Sequence, residues 1–239
     1  MNGRFAQKVV LVAGGTGGLG AAVSQAFLGE GAMVIVTYRA PAELAALVTT
    51  AADAGSRLTG VQADVTDESA CQGLIQQILD AHGRIDALCN CVGGYSGGVK
   101  LWNLETKVLD HLLALNLRTG YALARAAVPI MLKQRSGAVV NVTAKAAFDQ
   151  PAGAAAYAAS KAAAAALFGS LAAELAGTGI RVNTIVPSVI DTEANRKAMP
   201  GADFTKWPKP QAIAQVVLFL CSDAGRALHG ANLPVEGYG

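Results

Sequence analysis

The chain has 239 residues, 52% of them apolar and only 5% aromatic, with a formal net charge of +2. That length suits one α/β core, and a near-neutral charge without a long basic run argues against nucleic acid or a membrane surface as partner. No stretch has the length of a membrane span or the pattern of a secretion signal, and the four cysteines and three histidines (His82, His111, His229) lack metal-ligand spacing, so a soluble cytoplasmic protein without a metal site is expected.

In chain order, Lys8–Ala13 (KVVLVA) reads as a buried strand, followed by the glycine-rich turn Gly14–Gly20 and a helix near Leu19–Leu28. Met33–Tyr38 (MVIVTY) is a second strand, and Pro41 suits the first turn of the next helix. Leu58–Gln62 is a third, with Asp67 placed to cap the helix after it. Ile85–Val92 is a fourth, where Cys89 and Cys91 share one buried face as inert core thiols. A long helical stretch covers Glu105–Gln134, with Pro129 as its point of kinking. Ala138–Thr143 is the fifth strand and Ala154–Ala176 an alanine-rich helix. Ile180–Val186 is the sixth strand, ended by Pro187; a helix over Pro210–Ser222 and a closing strand at Asn232–Val235 follow. Strand and helix alternation predicts one α/β domain spanning 1–239, a doubly wound parallel sheet of about seven strands with helices on both faces. Asp191–Pro210, with three prolines, Arg196, Lys197 and Trp207, reads as a substrate loop or lid.

Ligands of such sheets bind at the carboxyl ends of the strands, where the topology reverses, and the candidate residues fall at such ends. The turn Gly14-Gly15-Thr16-Gly17-Gly18-Leu19-Gly20 fits G-x-G-x-x-G through Gly15, Gly17 and Gly20, and G-x-x-x-G-x-G through Gly14, Gly18 and Gly20. Either spacing lets the backbone approach a pyrophosphate at a helix N-terminus. The second strand ends in Thr37-Tyr38-Arg39, without the carboxylate that would hold an adenosine ribose and favour NAD(H). Arg39 either pairs with a 2′-phosphate, which predicts NADP(H) over NAD(H), or is a solvated surface arginine. Asp64, at the end of the third strand, either meets an adenine ring or starts the next loop. Further on, Tyr157 and Lys161 are four residues apart in the alanine-rich helix, on one face and about 6 Å apart along its axis. An ammonium there is expected to lower the pKa of the phenol and to ease proton exchange near neutral pH. With a nicotinamide cofactor on the glycine turn, this is equipment for hydride transfer involving a small-molecule substrate.

These motifs, in this order, resemble the short-chain dehydrogenase/reductase family across the whole chain. The family's T-G-x-x-x-G-x-G turn is matched by Gly14, Gly18 and Gly20, with Ala13 for Thr, and its Asp-Val pair by Asp64-Val65. Its N-N-A-G stretch is matched by Asn90-Cys91-Val92-Gly93, its asparagine by Asn116, its Y-x-x-x-K by Tyr157 and Lys161, and its P-G-x-x-x-T by Pro187, Ser188 and Thr192. The resemblance implies a Rossmann-like fold in which Tyr157 is the general acid/base. Lys161 then tunes the tyrosine and binds the nicotinamide ribose, Asn116 supports a proton-relay water, and the backbone of Ile190 contacts the carboxamide. It also implies a homotetramer or homodimer, for which the apolar faces of the alanine-rich helix (Ala162–Ala166, Leu167, Phe168, Leu171, Leu175) supply a surface.

One departure stands out. The family's serine on the strand before the tyrosine is replaced by Ala144, and Thr143 beside it points to the opposite face of an extended strand. The site therefore either works with fewer polar groups or recruits a donor from a loop. Simple ketones, which develop alkoxide charge, are expected to be poorer substrates than conjugated acceptors. Ala144-Lys145-Ala146-Ala147, Gly93–Gly98, Asp191–Pro200 and Ala202-Asp203-Phe204 before Trp207 resemble loops of dihydropteridine reductases, which makes a quinonoid pteridine the alternative substrate. A protein that binds NADP(H) without catalysis is a further alternative. Tyr95, Phe148 and Trp207 lie near strand-end loops and are either packing residues or substrate contacts.

Overall fold

The computed structural model of the protein describes residues 3–237; residues 1–2 and 238–239 of the expected domain lie outside the described residues. Seven strands form one sheet: β1 (Val9–Ala13), β2 (Met33–Tyr38), β3 (Leu58–Gln62), β4 (Ala87–Asn90), β5 (Gly137–Val142), β6 (Ile180–Pro187) and β7 (Asn232–Val235). All neighbours are parallel, in the order β3-β2-β1-β4-β5-β6-β7. Nine helices lie among the described residues: α1 (Gly18–Gly29), α2 (Pro41–Ala51), α3 (Glu68–His82), α4 (Thr106–Leu113), α5 (Thr119–Gln134), α6 (Ala146–Asp149), α7 (Ala155–Glu174), α8 (Glu193–Ala198) and α9 (Pro210–Cys221).

Alternate residues of a strand face opposite sides, so a strand covered on both faces must be apolar throughout. In β1, Val10 and Val12 enter a core with Val23 and Phe27 of α1 and Ile213 and Val217 of α9. Val9, Leu11 and Ala13 enter the other core, with Leu74 and Ile78 of α3, Leu123 of α5 and Phe168 of α7. Phe27 is fully buried and meets Phe5 edge-on at 4.8 Å, closing the first core under the start of the chain. Cys89 and Cys91 both face the first core, and burial pushes the Cys91 thiol up to about 12. Asp67 caps α3 as expected, accepting from Ser69 N (2.7 Å) and Ala70 N (3.0 Å).

Three elements differ from the sequence reading. The fourth strand is shorter, because Gln134 holds both backbone groups of Ile85 (2.9 Å each) and Asn90 turns the chain aside by accepting from Val92 N (3.3 Å). The stretch expected as one helix over Glu105–Gln134 is two helices joined by a π turn, Ala114–Arg118, and Pro129 sits inside α5 without ending it. The segment expected to be irregular contains α8, whose first turn is capped by Thr192 Oγ1 accepting from Asn195 N (3.2 Å). No helix among the described residues is long and apolar enough to cross a membrane.

Candidate active site

The order of strands reverses between β1 and β4, and the loops leaving their carboxyl ends part to form a crevice. The glycine turn occupies the β1 side. Gly14 has φ +68°, the left-handed region, and its N–H donates to Thr37 Oγ1 at the end of β2 (2.8 Å). A Cβ on Gly20 would fall 2.0 Å from Gly14 O, and one on Gly18 would fall 2.8 Å from the Thr192 methyl. A Cβ on Gly17 would meet nothing closer than 3.5 Å. A Cβ on Gly15 would fall 2.4 Å from a Val36 methyl, so the structure requires glycine at 14, 15, 18 and 20 and leaves Gly17 the one glycine of the turn with room for a side chain. Gly17 is the N-cap of α1 and provides no side-chain acceptor, so an anionic group on the open side of this turn would meet helix N–H groups.

Leu19 points its side chain into the core, and Thr16 donates to Glu43 Oε2 (3.0 Å), a carboxylate absent from the sequence reading. It lies in the first turn of α2, and only the fold brings it to the glycine turn. Arg39 is exposed at the end of β2. Asp64 lies on the same rim: Thr66 Oγ1 and N hold its carboxyl below the usual range, and Arg39 adds to that shift. Val65 is buried in the core against α3.

On the β4 side the polar residues converge. Asn90 turns inward, donating to Asn141 Oδ1 (2.9 Å), so its carboxamide props β4 against β5 beneath the crevice. The π turn presents Asn116 to the interior, 2% exposed. Its Oδ1 accepts from Gly94 N (2.9 Å), while Nδ2 donates to Gly94 O (3.0 Å) and to Ser160 Oγ (2.9 Å). Ser160 in turn donates to Tyr157 O (2.8 Å), which ties the loop after β4 to α7. Its role is not legible in the sequence, since a serine before a lysine in an alanine run carries no signal of its own. A Cβ on Gly93 would lie 2.8 Å from Lys161 Nζ and 3.0 Å from Asn116 Oδ1, so both polar ends crowd onto that glycine.

Lys161 and Tyr157 lie together on α7, but their electrostatics differ from expectation. Lys161 is buried, and loss of hydration lowers its pKa to about 8; its Nζ donates to Val142 O (3.0 Å). The Tyr157 phenol is not lowered. Burial, with a smaller contribution from Tyr95, pushes it up to about 12. Lys161 is engaged instead by Val142 O of β5, and the Tyr95 ring meets that of Tyr157 edge-on at 4.9 Å.

Ala144 is buried just past the end of β5, its carbonyl accepting from Ala147 N (2.9 Å). Thr143 turns away, donating to Ile185 O (3.2 Å). Beyond β6, Pro187 O accepts from Lys145 N (2.9 Å), and Ile190 O accepts from Asn195 Nδ2 (2.8 Å). The 191–210 segment is closed at its base by Asp191 N donating to Pro208 O (3.0 Å). Arg196 pairs with Asp191 (2.8 Å from Nη2) and covers the Phe204 ring at 4.9 Å, against which Trp207 packs, also at 4.9 Å. Trp207 is thus a brace within this segment, and Phe148 stands exposed on α6.

The family model for short chain dehydrogenase matches residues 8–203, a span that contains the glycine turn after β1, the buried Asn116, and, on α7, the buried Ser160 and Lys161 with Tyr157. The chain belongs to the short-chain dehydrogenase/reductase family. It is similar to 3-oxoacyl-(acyl-carrier-protein) reductase FabG of Thermotoga maritima, 31% identical over 98% of each chain. It is also similar to D-threitol dehydrogenase of Mycolicibacterium smegmatis, 34% identical over 98% of this chain and 93% of that one. Among solved structures, gox2181 superposes with a TM-score of 0.90 at 30% identity, covering 97% of this chain and 95% of that one. NAD+-bound xylitol dehydrogenase does so with a TM-score of 0.90 at 26% identity, covering 98% and 99%. This member of the family is accordingly an NAD(P)-dependent oxidoreductase.

The crowding at Gly93 gives a direct test of the cluster. Gly93→Ala should leave the fold intact and lower kcat/KM by about 100-fold, the scale of a misplacement near 1 Å. Steady-state kinetics beside a thermal melt check this; unchanged kinetics would show that Lys161 and Asn116 tolerate displacement.

Proposed function

We propose that this short-chain dehydrogenase/reductase is a cytoplasmic NADP(H)-preferring enzyme that reduces a carbonyl or conjugated acceptor, with Tyr157 as general acid. One observation carries the reading: Tyr157 stands one helical turn from the buried Lys161 on α7, and the buried Asn116 is tied to the same turn through Ser160. The whole chain acts as one dinucleotide-binding and catalytic domain, with 191–210 as the lid over a small-molecule substrate. The names of the relatives, a reductase and several dehydrogenases, support carbonyl–alcohol interconversion. Four free cysteines suit a reducing compartment.

The residues present fit a dinucleotide. Gly14, Gly18 and Gly20 shape a turn that excludes side chains, which gives a pyrophosphate access to the N-terminus of α1 through the backbone of Gly15, Thr16, Gly17 and Leu19. Arg39 takes the 2′-phosphate, while Asp64 and Val65 border the adenine. Gly93, Pro187, Ile190 and Thr192, with Asn90 beneath them, frame the nicotinamide end. When bound, the nicotinamide supplies or accepts the hydride. Lys161, charged below about pH 8, then stands to bind the ribose and to favour the phenolate that Tyr157 becomes on giving its proton to the substrate oxygen. A phenol held this high carries its proton at neutral pH, so the acid form is the one that meets an incoming carbonyl oxygen.

Ala144 supports a second reading, in which the acceptor is a quinonoid ring such as a dihydropteridine, whose charge spreads over a conjugated system. Tyr157→Phe tests the primary claim. It keeps the ring contact with Tyr95 and should lower turnover by about 10²–10⁴-fold without weakening cofactor binding. Assays with ethyl acetoacetate and with a quinonoid dihydropteridine separate the two acceptor classes, and turnover near wild type would remove Tyr157 from the chemistry.

Cofactor choice is read at Arg39. Arg39→Ala should raise the Kd for NADPH by about 10- to 100-fold, the size of one charge-assisted contact, and leave that for NADH nearly unchanged. Fluorescence titration of both cofactors decides it; equal wild-type affinities would defeat the preference.

The assembly reading concerns α5 and α7. Phe168 and Leu175 face the sheet, whereas Leu167 and Leu171 line an outer groove of about 370 Å³ with Tyr121, Val128 and Pro129. Small residues along α7 let a second copy approach closely, which supports a homodimer or homotetramer. Light scattering at micromolar concentration should give a multiple of the 24.3 kDa chain mass; the monomer mass would overturn it.

A further inference from the structure

The strand end that should offer a donor to the substrate oxygen offers none. Ala144 presents a methyl group and Thr143 is committed to Ile185 O. Across the site, Tyr95 lies on the loop after β4 with its ring edge-on to Tyr157, centroids 4.9 Å apart and planes at 78°. Its tip is seated rather than free: a Cβ on Gly97 would fall 2.2 Å from the Tyr95 hydroxyl oxygen, so the phenol fills the space the glycine leaves. Gly98 N donates to Gly153 O (2.9 Å), anchoring this loop to the segment that leads into α7 and Tyr157. The Tyr95 side chain is nonetheless 69% exposed, open to whatever enters the crevice.

We propose that Tyr95 supplies the second hydrogen bond to the substrate carbonyl oxygen, replacing the donor absent at Ala144, so that the site addresses that oxygen with two phenols. The inference rests on the reading of Tyr157 as the acid. During reduction, the carbonyl carbon gains a hydride from the nicotinamide cofactor and the C=O electron pair moves to oxygen. That oxygen takes its proton from Tyr157, while Tyr95 keeps its own and only hydrogen-bonds. A donor whose ring is already placed beside Tyr157 before the charge develops needs little reorganisation to meet it. The consequence is a substrate class: β-ketoesters and other unconjugated ketones come within reach, contrary to what Ala144 implies on its own.

The test uses Tyr95→Phe, Ala144→Ser and their combination in the full chain, with Tyr157→Phe alongside, on ethyl acetoacetate with NADPH. Tyr95→Phe should lower kcat by about 100-fold, the scale of one lost oxyanion donor. NADPH affinity should not change, because the exposed ring is retained. Ala144→Ser should add little to the wild type but recover most of the loss in the Tyr95→Phe background, a rescue that a merely structural role for Tyr95 would not produce. A kcat for Tyr95→Phe close to wild type, or a loss that the serine does not recover, overturns the proposal while an inactive Tyr157→Phe leaves the underlying mechanism standing. An active Tyr157→Phe overturns the mechanism itself.

Discussion

The site depends on how β1 is paired. It lies between β2 and β4, parallel to both, with Leu11 opposite Ile35 on one side and Leu88 on the other. From β1 the chain winds outward to β2 and β3, and from β4 it winds the other way, so the loops after β1 and β4 part from one another. Right-handed crossovers bring every strand's carboxyl end to the same edge. Residues far apart in sequence, the Gly14 turn, Gly93, Ala144 and Thr192, therefore meet there. The contact of the Thr192 methyl with Gly18 shows how close the approach is: a single Cβ would have to displace the loop after β6.

Burying a lysine and an asparagine together beneath this crevice is unfavourable unless each polar atom has a partner. The π turn solves half of this. Its extra residue rotates Asn116 inward, where the carboxamide satisfies both backbone groups of Gly94 and the Ser160 hydroxyl. The ammonium of Lys161 keeps one carbonyl, Val142 O, and lies close against Gly93. An ammonium so sparsely solvated has a lowered pKa, and any anionic or hydroxyl-bearing group that docks next to it restores hydration it has lost.

The fold was legible because both faces of the sheet are covered. That requirement writes β1 and β2 as unbroken apolar runs, and their predicted bounds agree with the structure to within a residue. Boundaries failed where side chains intervene, as at Gln134 with Ile85. That Tyr157 and Lys161 lie one turn apart on a single helix was legible from their spacing in the alanine-rich run. Their protonation was not, because it follows from burial and from Tyr95, which the sequence places 62 residues earlier. The π turn was hidden inside a helical pattern that reads the same with or without one extra residue. The Glu43 contact with Thr16 and the Ser160 contact with Asn116 belong to tertiary structure and leave no mark on local sequence.

Where the hydrogen-bond donor sits has consequences beyond its presence. A donor on β5 would be fixed by the ladder to β6, in which Val142 pairs with Ile185. A donor at Tyr95 is fixed instead by Gly97 packing and by one backbone bond, Gly98 to Gly153, on a loop that is exposed along its length. Loops of that kind open at lower free energy than paired strands. Moving the donor from strand to loop thus exchanges some preorganisation for reach, because a phenol spans farther from the backbone than a serine hydroxyl does. Ala144 is then part of the same arrangement: its small side chain leaves room on the β5 side for a substrate whose oxygen is met from the opposite wall.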